Sequence, residues 1–244
     1  MPLPLKSLKA LKEQPMKING LQKLTLLDFP GRTACTVFLA GCDFRCPFCH
    51  NYELTDTSAD VIMESEELLE FLKGRVGRLD GVAFTGGEPT MRKDLPELLE
   101  AVKALGYETK LDTNGNNPAA LKQILSRHLV DYVAMDIKNS PQRYPLTAGV
   151  QRVNTDNISE SLQLLKNSGT DYELRTTVVD QLHDEDSFRA IGPWIEGAPR
   201  YFLQAFADRD TVPFAGFTAP SKEKMEIYAD IVRPYVTEVQ LRGV

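Results

Sequence analysis

The sequence has 244 residues, of which 42% are hydrophobic and 25% are charged, a composition typical of folded globular proteins and not of disordered chains. Its formal net charge of -6 argues against a general nucleic-acid surface, because proteins that bind polyanions usually carry a basic stripe. No apolar run approaches the roughly 20 residues that a membrane-spanning helix needs. We therefore expect a cytoplasmic protein that binds neither nucleic acid nor membrane.

The chain begins with MPLPLKSLKALKEQPMK, which is rich in lysine and lacks the apolar core of a signal peptide. We interpret residues 1–17 as a flexible extension, with Met16 as an alternative start, and residues 18–244 as one domain. The length alone suits one larger α/β domain or two small ones. Since no linker rich in Pro, Gly or Ser divides the sequence, one domain is the simpler prediction.

Seven segments rich in β-branched and aromatic residues predict strands. In chain order they are residues 33–40, 81–86, 107–113, 131–137, 172–179, 201–206 and 236–241. Helices are predicted between them by apolar residues at helical spacing, namely Leu68, Leu69, Leu72 and Val76 in one segment and Ile158, Leu162 and Leu165 in another.

Capping signals mark the starts of three predicted helices. Asp94 with Glu97 resembles a capping box, Asn117 stands before Pro118, and Ser221 precedes the last helical segment. The alternation gives six β-then-α units, which imply a parallel sheet with right-handed crossovers. Composition leaves open whether that sheet is an open doubly wound one or a partial TIM-like barrel.

In both architectures the chemistry lies at the C-terminal edge of the sheet. Three polar clusters fall at predicted strand ends, namely GGEPT (residues 86–90), DTNG (112–115) and DIK (136–138). We therefore expect them to share one site.

The stretch GCDFRCPFCHN places Cys42, Cys46 and Cys49 in a C-x3-C-x2-C run. A structural zinc site generally needs four ligands, and the spacing is too tight for a useful disulfide. Three thiolates suit a 4Fe-4S cluster with one iron left open. Reduced buried cysteines or a zinc loop remain the alternative, whereas Cys35, inside a predicted strand, is expected to be a core residue.

With the aromatic Phe48 before its last cysteine, this run resembles the signature of the radical S-adenosylmethionine (radical SAM) enzymes. GGEPT by itself is mainly a turn signal. Beside the cysteine run, its Gly86, Gly87 and Glu88 resemble the motif that binds the methionine ammonium group in that superfamily. The resemblance implies a partial (β/α)6 TIM-like barrel, one 4Fe-4S cluster held by the three cysteines, and S-adenosylmethionine (SAM) as cofactor.

LDTNG, MDIK and the dipeptide after Cys49 are similar to the cofactor pocket of glycyl radical enzyme activating enzymes. The similarity implies that Asp136 and Lys138 contact the amino-acid part of SAM, and that Asp112 and Thr113 help to form a monovalent cation site. Alternatively, DTNG is an ordinary turn, and Asp136 and Lys138 simply share one face of a strand. Neither alternative involves a ligand.

Arg175 is a charged residue in an apolar strand, where an unpaired guanidinium would be costly. It is expected either to point into the pocket, as a cofactor-binding residue, or to form a structural ion pair. His183 and His128 are interpreted as ordinary solvated residues without a role.

The opening GLQKLTLLDFPG, the cysteine run, FLQAF and EVQLRG together resemble the anaerobic ribonucleoside-triphosphate reductase activating proteins. The implied function is reductive cleavage of SAM to a 5'-deoxyadenosyl radical that generates a glycyl radical on a partner enzyme, with flavodoxin or ferredoxin as electron donor. The anaerobic ribonucleotide reductase is the first choice of partner. A pyruvate formate-lyase activating enzyme, or a small-molecule enzyme similar to 7-carboxy-7-deazaguanine synthase, is the alternative.

Overall fold

The computed structural model describes residue 11 and residues 15–244. Most of the predicted flexible extension therefore lies outside the described residues. Met16 is fully buried, and its peptide nitrogen donates to Ser65 Oγ over 3.0 Å. Lys17 pairs with Glu64 in a short antiparallel ladder. The packed part of the chain thus starts before residue 18.

Ten strands and seven α-helices make up the described part of the chain. The strands are β1 Lys17–Ile18, β2 Gly20–Thr25, β3 Ala34–Leu39, β4 Met63–Glu64, β5 Gly81–Gly86, β6 Glu108–Thr113, β7 Tyr132–Asp136, β8 Asp171–Val178, β9 Arg200–Ala205 and β10 Glu238–Arg242. The helices are α1 Ser65–Lys73, α2 Leu95–Ala104, α3 Pro118–Ser126, α4 Tyr144–Ala148, α5 Thr155–Ser168, α6 Glu185–Trp194 and α7 Lys222–Val232.

The larger sheet has the strand order β10-β9-β8-β7-β6-β5-β3-β2. The pairs β3 with β5, β5 with β6, β8 with β9 and β9 with β10 are parallel. Six strands from β3 to β9 are each followed by a helix before the next strand of the sheet. This is the predicted α/β fold of six units, a mostly parallel sheet of the partial-barrel type.

Strand β2 is absent from the prediction. It lies antiparallel to β3 at the edge of the sheet, with a register shift between Gln22 and Thr25. Its middle residues are exposed, so its sequence has no clear alternation of apolar and polar residues. Pairing with β3, and not a local sequence pattern, therefore makes this segment a strand.

The chain divides into two compact units. The first comprises the described residues of Met1–Asp43 with Glu53–Thr113 and Ala119–Val133, and the second comprises Phe44–Tyr52, Asn114–Pro118 and Ala134–Val244. In the first unit the core side chains of β3 and β5 are buried together with the apolar stripe of α1. Cys35 is fully buried within this core, which confirms the prediction for it, and burial raises the pKa of its thiol to about 12.

The predicted helix stripe is right for Leu68, Leu69 and Leu72, which are buried, and wrong for Val76. Helix α1 ends at Lys73, so Val76 lies beyond it and is 56% exposed. Each buried leucine contributes about 1.5–3 kcal/mol of transfer free energy.

Two of the predicted capping residues have different outcomes. Ser221 caps α7, because its hydroxyl accepts from the Lys224 amide. The capping box at Asp94 is wrong, since its carboxylate makes no cap hydrogen bond and instead pairs with the Arg92 guanidinium at 3.0 Å. A neighbouring cation thus competes with the helix end for this carboxylate.

None of the helices in the described part of the chain is both long and apolar enough to cross a bilayer.

Candidate functional site

The glycines of GGEPT let the end of β5 approach the backbone next to Cys42. The Gly87 amide donates to Leu39 O over 2.8 Å, and the Glu88 amide donates to Gly41 O over 2.7 Å. A Cβ atom at Gly87 would stand 2.3 Å from Gly41 O, closer than any real side chain allows. Glycine is therefore required here for packing within the first unit, a reason that the sequence pattern did not reveal.

Glu88 is a buried carboxylate, 1% exposed, and not the solvated group that a simple turn would present. Its Oε1 accepts from Thr90 N at 3.0 Å, from Thr90 Oγ1 at 2.5 Å and from Thr113 Oγ1 at 2.8 Å. These donors stabilise the ionised form of the carboxylate. The Thr113 contact joins GGEPT to the end of β6, as the strand-end argument predicts.

Asp112, expected to help bind a monovalent cation, is paired with the buried ammonium group of Lys110. A metal cation at this carboxylate would meet a like charge in a largely buried setting. Thr113, the other residue of the expected cation site, donates its hydroxyl proton to Glu88. Asp112 is therefore the ion-pair partner of Lys110 through one carboxylate oxygen, and the monovalent cation site stays a prediction.

Cys42 belongs to the first unit and lies just before the point where the chain enters the second. Its amide donates to Thr55 O over 3.0 Å, and its Sγ lies 4.0 Å from Asp43 Oδ1. The thiol is half-buried and forms no disulfide. The backbone hydrogen bond fixes the direction of this thiol relative to residues of its own unit.

Cys46 and Cys49 belong to the second unit. The Cys49 amide donates to Cys46 O over 3.1 Å, and both thiols are free. Desolvation raises the pKa of both, that of Cys46 to about 11, while the positive charge of Lys138 opposes this rise. Ligation by a metal would stabilise both cysteines as thiolates in spite of this desolvation.

The three thiols of the cysteine run fit a 4Fe-4S cluster in donor chemistry, because thiolates are its usual protein ligands and none of the three forms a disulfide. In the described residues no three His, Cys, Asp or Glu side chains are grouped as a ready metal site. The chemistry and the spacing of the three cysteines thus support the expected ligand set.

The cysteine loop is fastened to the end of α4. The Arg45 amide donates to Ala148 O over 2.8 Å. The next residue, Gly149, has a φ of 67°, and a Cβ atom there would stand 1.9 Å from Arg45 O. Any other residue at position 149 would push the loop away, so this glycine belongs to the site although the sequence pattern did not single it out.

Aromatic contacts join the other end of the cysteine loop to the residues after β9. Phe48 is buried and packs edge-on against Phe206, with the ring centroids 6.4 Å apart. His50 stacks on the same ring at 5.7 Å, and its Nε2 lies 2.6 Å from Ala207 O. Phe48 and His50, both from the predicted motif, therefore hold the loop against one segment of the second unit.

Asp136, Lys138 and Arg175 form one ion-pair network. Lys138 Nζ lies 2.9 Å from Asp136 Oδ2, and Arg175 Nε lies 3.0 Å from Asp136 Oδ1. Desolvation would raise the pKa of the Asp136 carboxyl, but the Arg175 and Lys138 charges outweigh it and lower that pKa to about 2. Burial would lower the pKa of the Lys138 ammonium, yet Asp136 and Cys46 raise it. All three groups are therefore charged at neutral pH.

The interpretation of His183 as a solvated residue is wrong. Its side chain is 3% exposed, its Nδ1 accepts from the Val179 amide at 3.1 Å, and its Nε2 lies 2.8 Å from Lys138 O. The acidic residues that follow it gave a misleading signal, because they cap α6 and leave the imidazole inside. His128 is exposed, as expected.

Comparison with known proteins shows where this architecture recurs. The family model described as the radical SAM superfamily matches residues 36–189, more than half of the chain. A Methanocaldococcus jannaschii protein that carries the name of a glycyl-radical enzyme activating enzyme is 27% identical over 235 residues, which cover 93% of this chain and 96% of the relative. The pyruvate formate-lyase-activating enzyme of Clostridium pasteurianum is 30% identical over 175 residues, which cover 69% of this chain and 71% of the relative.

A solved structure agrees on the fold. Streptococcus suis SuiB, crystallised with its precursor peptide SuiA, superposes with a TM-score of 0.67 at 14% identity over 98% of this chain and 52% of that one. This chain thus spans about half of SuiB's length. The matched motifs, the fold and the relatives agree, and the chain belongs to the radical SAM superfamily, in its group of glycyl-radical enzyme activating enzymes, which use a 4Fe-4S cluster and SAM.

Proposed function

We propose that this enzyme generates the glycyl radical of an anaerobic ribonucleoside-triphosphate reductase. The observation that carries the SAM-cleaving part of the proposal is the position of Lys138, whose ammonium group pairs with Asp136 and whose positive charge opposes the rise in the pKa of the Cys46 thiol. A cation shared between a cysteine of the cluster motif and a carboxylate is suited to a ligand that binds beside the cluster.

The cluster and SAM together supply one chemical step. When bound, the cluster would supply one electron to SAM to break a carbon-sulfur bond, giving methionine and a 5'-deoxyadenosyl radical that would take a hydrogen atom from a glycine Cα of the partner. The chain's own residues bind and orient the reactants and keep water from the radical.

We assign the binding roles by charge. Cys42, Cys46 and Cys49 hold the cluster as thiolates. Glu88, a buried anion, is proposed to bind the methionine ammonium group, and the cations Lys138 and Arg175 its carboxylate, since charge-assisted hydrogen bonds are the strong ones. Asp136 holds these two cations in place, and Phe48 and the backbone of Gly86 and Gly87 shape the surroundings of the ligand.

The choice of partner rests on the resemblance of the whole motif set to activators of the anaerobic reductase. The pyruvate formate-lyase-activating relative makes a second glycyl radical enzyme the alternative partner. A flavodoxin or ferredoxin is the proposed electron donor. Because the reaction needs a strong reductant and no oxygen, we place it in the cytoplasm.

The test is to mix the cluster-loaded protein anaerobically with SAM, a reductant and each candidate partner in turn. The anaerobic reductase should gain a stable radical visible by electron paramagnetic resonance, with a doublet that collapses when glycine carries deuterium at Cα. Asp136→Ala should suppress this signal. Asp171→Ala is the matched control, since Asp171 is the first residue of β8, is outside the network and pairs with Arg200 on the surface.

Two other results would redirect the assignment. A radical on pyruvate formate-lyase, and none on the reductase, would replace the partner and keep the activating function. Rapid SAM cleavage driven by a metabolite extract, without a radical on either protein, would favour the small-molecule alternative instead.

A further inference from the structure

Three consecutive backbone carbonyls at the end of β7 each accept a hydrogen bond from a side chain of a different element. This is the segment that carries Asp136 and Lys138. The donors are Tyr144 Oη of α4 to Asp136 O at 3.3 Å, Thr176 Oγ1 of β8 to Ile137 O at 2.6 Å, and His183 Nε2 of the loop before α6 to Lys138 O at 2.8 Å.

These contacts fix the backbone where the strand ends. A buried carbonyl without a donor is unfavourable, so each of these hydrogen bonds favours the observed conformation. The direction of a side chain follows from the orientation of its own peptide units. Holding Lys138 O therefore also holds the Cα–Cβ bond of Lys138, from which the ammonium group reaches Asp136.

The hydrogen-bond pattern determines the tautomer of His183. Nε2 lies 2.8 Å from Lys138 O, which can only accept, so Nε2 carries a proton. Nδ1 lies 3.1 Å from Val179 N and 3.3 Å from Val179 O, and in the neutral ring it accepts from the Val179 amide. The Nε2–H group then donates to Lys138 O. Burial lowers the pKa of the imidazole below its ordinary value, which keeps it neutral.

We propose that His183 is a positioning residue for SAM binding, which acts by holding the Lys138 carbonyl and thereby the Lys138 ammonium group. The inference rests on the proposed function only in taking Lys138 as a SAM contact. His183 itself touches no reacting atom.

The loop of His183 has a second attachment, which makes the inference testable. Asn139 is fully buried, and its Nδ2 donates to Leu182 O at 2.9 Å and to Thr147 Oγ1 at 2.8 Å. A change at His183 therefore leaves the loop fastened to the residue after Lys138. We expect His183 variants to fold.

Two substitutions distinguish the roles of the two ring nitrogens of His183. His183→Asn keeps an acceptor for the Val179 amide at the position of Nδ1 and does not reach Lys138 O. His183→Gln places an N–H donor at the position of Nε2 and so retains the contact with Lys138 O. His128→Gln, at an exposed site, is the control for the exchange of a histidine.

The experiment measures SAM affinity of the anaerobic, cluster-loaded proteins together with their thermal midpoints. His183→Asn should bind SAM about 10-fold more weakly, the size typical of lost supporting contacts around a site, while His183→Gln should bind it like the wild type. In addition, nitrogen-15 NMR of the wild type should show a proton on Nε2 of His183 and none on Nδ1.

Equal SAM affinity in all variants, with lower thermal midpoints for Asn and Gln, would assign His183 a structural role only. A proton on Nδ1 would also overturn the inference. Because SAM binding requires no partner protein, failure to find the glycyl radical partner is a separate result from either of these.

Discussion

Arg175 donates from Nε to Asp136 Oδ1 over 3.0 Å, at the same carboxylate whose other oxygen lies 2.9 Å from Lys138 Nζ. The network thus joins two cations to one anion. The guanidinium of Arg175 is thus an ion-pair partner of a predicted site residue, and its role in binding the cofactor stays a prediction. A local excess of positive charge suits thiolate ligands and an incoming carboxylate.

The first prediction concerns the two cations. Arg175→Met and Lys138→Met should each keep the iron content and weaken SAM binding, because each removes a charge-assisted hydrogen bond that contributes about 1.5–3 kcal/mol. The measurement is SAM affinity of the cluster-loaded protein. Arg189→Met, at a side chain that is 56% exposed on α6, should bind SAM like the wild type. Unchanged affinity in both site variants would mean that the network does not bind SAM.

The second prediction concerns the cysteines. Protein prepared without oxygen should contain about four irons and four sulfides per chain. Cys42→Ala, Cys46→Ala and Cys49→Ala should each abolish the cluster, whereas Cys35→Ala should keep it and only lose stability, because Cys35 is a core side chain. Iron and sulfide analysis with the visible absorption spectrum checks this. A folded, colourless protein that holds zinc would contradict it.

The third prediction concerns the buried carboxylate Glu88. Glu88→Gln preserves the shape and removes the charge, so SAM affinity should fall while iron is retained. Thr113→Val removes a donor to Glu88 and should lower the free energy of unfolding by about 1–3 kcal/mol. Anaerobic urea unfolding measures the latter, with Thr237→Val at an exposed position as the control. Equal unfolding free energies for both threonine variants would show that the Thr113 hydrogen bond is dispensable.

The fourth prediction concerns monovalent cations. Since the Lys110 ammonium already pairs with Asp112, SAM binding should depend on ionic strength and not on whether the salt contains sodium, potassium or choline. Lys110→Met, which removes that ammonium, should leave the carboxylate able to bind a metal cation. Selective stimulation of the wild type by one cation would contradict this and support the cation site that the family resemblance implied.

The fifth prediction is a pH dependence of stability. Burial lowers the pKa of His183 in the folded protein. As the pH falls through about 6.5, the histidine therefore becomes protonated in the unfolded chain while it stays neutral in the folded one. This contribution to stability is present above that pH and is lost below it. The thermal midpoint of the wild type should therefore drop more between pH 7.5 and 5.5 than that of His183→Gln. Parallel curves for the two proteins would contradict the assignment of a buried neutral imidazole.

The strand ends were predictable from the sequence because local patterns determine them. The alternation of strands and helices predicts the six units, and the polar clusters GGEPT, DTNG and DIK do lie at the ends of strands β5, β6 and β7. The side-chain contacts within each cluster could not be predicted in the same way. Lys110, for example, is an ordinary strand residue by its neighbours, and only its packing makes it the partner of Asp112.

The sequence by itself determined the chemistry of this protein, since the thiols, the carboxylate of Glu88 and the charged residues of MDIK have their character wherever they lie. Only the tertiary structure decided how those groups are held. The pairing of Arg175 with Asp136, the need for Gly149 beside Arg45, and the burial of His183 all join residues far apart in the chain. Local sequence patterns report spacing along the backbone, whereas these contacts depend on which loops packing brings within hydrogen-bond distance.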